Sequence, residues 1–150
     1  MLESTSDCYI DNAGRITSNA PKIYGQDRFA ENKMLGRFDM GDLSYQELYV
    51  PGIQIIYGDW RFRNLAATDV QKEGEFVEMH FTLSGTGEVC DSLSGNVYHF
   101  QENKQSLFFI SSLSGRSQFQ TPEFRFFELR LSPEYFLEIC KRQLCTYSFI

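Results

Sequence analysis

The rhythm between Glu47 and Leu131 constrains this chain more than any other feature. Short stretches of alternating apolar and polar residues are cut by turn-forming clusters roughly every 8–12 residues. "FVEMHFTLS" sets Val77, Met79, Phe81 and Leu83 on one face, with Glu78, His80 and Thr82 on the other. "EFRFFELRL" opposes Phe124, Phe126, Glu128 and Arg130 to Arg125, Phe127, Leu129 and Leu131. Pro51-Gly52 breaks the β-rich run "ELYVPGIQIIYGDWRFRNLAAT", in which Trp60 and Phe62 alternate with Arg61 and Arg63. Gly85-Thr86-Gly87 turns the chain into "EVC", and "DSLSGN", "ENKQ" and "SLSG" mark three further turns. This pattern predicts an antiparallel sandwich or barrel.

At Ser132 the period changes. Ser132 can cap a helix, Pro133 suits its first position, and Glu134 favours the positive end of its dipole. "PEYFLEICKRQLC" then places Phe136, Ile139, Cys140 and Leu144 on one helical face. That stripe packs on its own barrel or forms part of a dimer seam. The last residues, "TYSFI", carry no closing turn or polar tail, which suggests a parent protein that continues. The first 46 residues are rich in Asn, Asp, Gly and Ser and read as an arm with one short hairpin around Asn12–Gly14. The chain therefore divides into an arm over 1–46, a barrel over 47–132 and the start of a helical element over 133–150.

Charge and cysteines narrow the function. A net charge of -6 with no basic run is a poor match to a phosphate backbone, so this chain is not itself expected to grip DNA. No apolar span approaches the roughly twenty residues of a membrane helix, and the N-terminus lacks the basic start and apolar core of a signal peptide. The four cysteines form no CxxC pair and read as reduced thiols in a cytoplasm. No G-x-S-x-G elbow is present, and no cysteine lies near a histidine in sequence.

The run from "VEMHFTLSGTGEV" through "LFFISSLSG" to "FRFFELRLSPEYFLEI" resembles the cupin fold, a double-stranded β-helix. More specifically, it resembles the regulatory domain of AraC-family transcription factors. The resemblance covers roughly residues 53–145, with "SLSG" standing where that family places a corner proline and glycine. It implies a mainly β, jelly-roll barrel with an N-terminal arm and a C-terminal helix. It also implies a bacterial, cytoplasmic sensor that binds a small effector and forms a homodimer. DNA would be reached only through helix-turn-helix units absent from this chain.

Cupin enzymes hold a divalent metal with an H-x-H pair, a glutamate and a further histidine, a set that leaves an open coordination position. Glu78 matches the glutamate by its spacing to Gly85, but "DVQKEGEFV" before it has no histidine, and the last position falls on Gln118. The chain has only two histidines; His80 follows Glu78 in the wrong order, and His99 is expected to be exposed. No catalytic residue, metal or other cofactor is assigned. The alternatives kept open are a stand-alone cupin enzyme (isomerase or metal-dependent oxygenase) and a carbohydrate-binding barrel.

If Glu78 keeps the cupin orientation, Glu78, His80 and Thr82 point into the barrel. The resemblance places two pocket positions of the family's arabinose sensor on Phe126 and Glu128, with Arg130 on their face. Buried without partners, such groups would each cost several kcal/mol, on the order of ordinary desolvation penalties. Either Arg130 pairs with Glu128 or Glu78 in a closed structural network, or these groups face a pocket and bind a polar ligand. Trp60 and Phe126 would then supply an apolar wall. The candidate ligand-binding set is Trp60, Glu78, His80, Gln118, Phe126, Glu128 and Arg130, with Tyr57 and Phe119 as core or pocket residues.

Overall fold

Antiparallel pairing begins well before Glu47. In the computed structural model, which describes residues 8–10, 16–19 and 30–146, ten strands are followed by one helix. The strands are β1 (Cys8–Ile10), β2 (Ile16–Asn19), β3 (Ala30–Phe38), β4 (Gly41–Val50), β5 (Ile53–Phe62), β6 (Thr68–Ser84), β7 (Thr86–Asp91), β8 (Val97–Gln101), β9 (Lys104–Phe119) and β10 (Glu123–Leu131). The helix is α1 (Pro133–Thr146). The sheet runs β3-β4-β5-β10-β6-β9-β7-β8, every neighbour antiparallel, while β2 joins the outside of β6 in parallel.

Two strands are long enough to serve both layers. The C-terminal half of β6 pairs with β10, while its N-terminal half pairs with β2 and with the far end of β9. A register shift between Glu73 and Phe76 lets β6 bend between these halves. The same far end of β9 pairs with β7. The sheet therefore folds back on itself, and rings from opposite layers meet: Trp60 of β5 lies 5.4 Å from Phe119 of β9, and His80 of β6 lies 4.5 Å from Phe100 of β8. This is the expected cupin-like jelly roll, mainly β with a C-terminal helix.

The core between the layers is aromatic. Trp60 sits among Tyr45, Phe62, Phe119 and Phe126, with centroids 5.0–6.1 Å apart. Edge-to-face pairs of this kind add stability beyond their burial. Leu43 and Tyr45 belong to this core, so β4, and β3 beside it, are sheet strands rather than part of an arm ending at residue 46. The arm reading failed because β3, "AENKMLGRF", lacks a clean alternation of apolar residues. The expected N-terminal hairpin is present as β1 paired with β2, its turn lying outside the described residues.

Two turn assignments change. Only Gly85 turns after β6, with φ +90; Gly87 already lies in β7, packed against the Phe119 ring. "SLSG" is no turn at all, because β9 runs straight through it. Gly115 serves close approach instead: a Cβ there would sit 1.9 Å from the Cys90 carbonyl oxygen.

The outer face of the main sheet is also apolar. Cross-strand register aligns Leu48, Ile55, Leu129, Met79 and Leu107 in one row over five strands. The helix starts where expected: Ser132 Oγ accepts from the Tyr135 amide at 3.1 Å. Tyr135 packs over Gly52, and α1 touches β6. No described helix is long and apolar enough to cross a membrane.

Candidate functional site

Alternation on β6 and β10 decides which side chains meet. Their register sets His80 opposite Glu128 and Glu78 opposite Arg130, all four on the face that looks between the layers. All are buried, at 1–5% exposure. Lys72 reaches them from the other side of the β6 bend.

The contacts form a chain of charges. Lys72 Nζ donates to both Glu78 carboxylate oxygens, at 3.1 and 2.9 Å. Arg130 Nε donates to Glu78 Oε2 at 3.0 Å, and its Nη2 donates to Glu128 Oε2 at 2.8 Å. His80 Nδ1 stands 3.0 Å from Glu128 Oε1. A carboxylate only accepts, so Nδ1 carries the hydrogen and Nε2 is the free nitrogen. The Arg130 guanidinium also lies 5.0 Å over the Phe76 ring. Burial acts to raise the Glu128 pKa, but the charges of Lys72 and Arg130 and the contact with His80 outweigh it. The carboxyl is held well below its ordinary value.

Of the buried side-chain polar atoms without a partner among the described residues, two lie at this site: His80 Nε2, at the end of the chain, and Trp60 Nε1, outside it. Each belongs to a side chain that is 4% exposed, and both residues line a cavity of about 70 Å³ between the layers. Phe119, Phe124 and Phe126 supply its apolar walls. Lys72, Val70, Val89 and Phe100 also line a larger adjoining chamber of about 210 Å³, with Tyr98, Phe108 and Leu113.

Six of the seven residues expected to bind ligand therefore converge: Trp60, His80, Phe126, Glu128 and Arg130 on the inner cavity, and Glu78 beside them on the larger one. Gln118 does not. It is exposed on β9, between the inward-facing Ser117 and Phe119, and pairs across the sheet with Glu88. Counting from Gly115 led to the wrong residue because that glycine sits within a strand rather than at a corner. Phe119 is core and cavity wall, whereas Tyr57 lies on the outer face opposite Phe127. Arg61 and Arg63 form a solvated face, Arg63 binding Asp42 at 3.1 Å, and His99 is exposed. Lys72 was missed. "TDVQK" belongs to β6, and extending the strand backwards past Gly74 would have put Val70 and Lys72 on one face.

Glu78, His80 and Glu128 present ligand atoms within 4.8 Å of one another, a set that could hold a divalent cation. The charges around them argue otherwise. Lys72 and Arg130 already balance both carboxylates, and each carboxylate oxygen already receives a donor or faces His80. A cation would have to displace those pairs and leave two buried positive charges uncompensated. A metal does not fit this cluster.

No protein-family model matches the chain, and no curated protein matches it. Among solved structures, the chain is similar to the cupin domain of Cnp3 from Schizosaccharomyces pombe, at 12% identity and a TM-score of 0.48, covering 67% of this chain and 71% of that one. It is similar to KdgF from Halomonas sp. at 12% identity and a TM-score of 0.47, covering 65% and 84%. It is also similar to an HTH_3 family transcriptional regulator from Vibrio cholerae, at 14% identity and a TM-score of 0.46. That match covers 61% of this chain and spans about half, 51%, of the regulator. At these scores the likenesses carry no argument about function.

Proposed function

We propose that this chain is the effector-sensing domain of a bacterial, cytoplasmic transcription factor of the AraC type, and that it is not an enzyme. It binds a small molecule between its two layers. That binding shifts the presentation of DNA-binding units carried elsewhere in the protein. One observation carries the binding half of this reading: His80 Nε2 and Trp60 Nε1 are buried, unpartnered and on the wall of the same cavity. Native structures rarely leave buried polar atoms without partners, and a pair of them in an aromatic cavity points to a ligand that satisfies both. The charge network around them is closed. Its role is to hold His80 in one tautomer and one orientation.

The regulatory half rests on the order of strands, turns and closing helix. On this reading the domain works as a homodimer. Leu137 and Ile139, 54% and 37% exposed on α1, offer an apolar seam for the second copy. A thermal-shift screen against sugars, aromatic compounds and siderophores tests the binding half. The expected result is a ligand that raises the Tm of the wild type but not of His80→Phe or Trp60→Phe. Equal shifts in wild type and variants, or no shift with any compound, would contradict it.

A further inference from the structure

Resting on that binding reading, we propose that the ligand is a small uncharged molecule with a hydroxyl-bearing aromatic ring of the phenol type. It offers an acceptor to Trp60 Nε1 and a hydrogen-bond partner to His80 Nε2.

Charge comes first. Two cations, Lys72 and Arg130, face two carboxylates, Glu78 and Glu128, and all four are paired. Glu88, also on the cavity lining, has its carboxylate 3.5 Å from the exposed His99. Glu88 is partly exposed, so water screens its charge, and the buried wall has no spare positive charge for an anion and no spare negative charge for a cation. A charged ligand would be desolvated without compensation.

Hydrogen bonding comes next. The Trp60 indole only donates, so its partner must accept. With Nδ1–H turned to Glu128, Nε2 accepts from a ligand when the ring is neutral and donates to one when it is protonated. A hydroxyl both donates and accepts, and a substituted ring can carry more than one such group.

Size and surface complete the case. About 70 Å³ corresponds to roughly five to seven water-sized spheres, which is close to one six-membered ring with a substituent. The walls are rings: Phe126 lies 5.0 Å from Trp60 and 5.5 Å from His80. Buried water needs two to four polar partners each, and aromatic walls supply few. A ring fills the apolar space while its hydroxyl substituents meet the orphaned atoms. The adjoining apolar chamber leaves room for a substituent on that ring.

Trp60 is the only tryptophan in the chain, so its emission reports on this cavity alone. The test is a titration of the purified chain with phenol, benzoate and toluene, followed by Trp60 fluorescence and by calorimetry. Phenol is expected to bind one to one, perturb the emission, and bind about tenfold or more tighter than either control, the worth of one good hydrogen bond. His80→Phe is expected to abolish the preference for phenol over toluene. Trp60→Phe, followed by calorimetry, gives an independent check if the first variant does not fold. Stronger binding of benzoate, or equal binding of toluene, overturns the ligand class and leaves the binding reading standing. Failure of all three probes also overturns the class; the binding reading falls with it only if the wider screen finds no ligand.

Discussion

At the residue level, Arg130 carries the most consequence. It is 2% exposed, joins both carboxylates and lies over Phe76. Breaking a buried pair by removing one partner costs about 3–5 kcal/mol, because the charges left behind have no water. Arg130→Ala is therefore expected to lower stability by about that much in urea unfolding, whereas the exposed Arg61→Ala should stay within about 0.5 kcal/mol. Comparable losses in the two variants would mean that the network does not hold the layers. Much of this cluster was legible in the sequence. Strict alternation in "VEMHFT" and "FRFFELR" ties Glu78 to His80 and Phe126 to Glu128 and Arg130, whichever face turns inward. What alternation could not give is that Lys72, before the bend, returns to the same cluster.

Among the elements, β6 and β9 matter most, because each crosses from one layer to the other. The turns at Pro51-Gly52, Gly85, "DSLSGN" and "ENKQ" were legible because their residues favour turn conformations. "SLSG" was misread for the same reason: serine and glycine also occur where two strands press together. Gly115→Ala therefore discriminates. A turn glycine with open space would tolerate alanine, but here the new Cβ meets the backbone of β7. The expected outcome is a loss of more than about 2 kcal/mol, in the range of severe backbone strain. At the end of β10, Ser132→Ala should remove the cap on α1 and cost about 1 kcal/mol, with lower helical signal in far-ultraviolet circular dichroism. An unchanged signal and stability would mean that the cap is unimportant.

Across the whole molecule, this barrel has apolar rows outside the main sheet and a charged cluster inside it. That inversion is why the sequence alone left the inner face undecided between a structural network and a pocket. The observed geometry contains both, a closed network beside two orphaned atoms. The network also gives the fold an acid limit. The Glu128 carboxyl is held below its ordinary value of 4.5, so the folded state binds fewer protons there than the unfolded chain. Its contribution is present above about pH 4.5 and is lost as pH falls below that. The urea midpoint of the wild type should therefore decline on acidification below about pH 4.5, and Glu128→Gln should show a shallower decline from a lower starting stability. An equally steep decline in the variant would assign the acid limit to other groups. The most direct test of ligand binding between the layers is the single indole N–H resonance of Trp60, followed by NMR as ligands from the screen are added. A ligand that stabilises the protein is predicted to shift that resonance, and the shift should disappear in His80→Phe. A stabilising ligand that saturates the protein while the Trp60 resonance stays in place would contradict it.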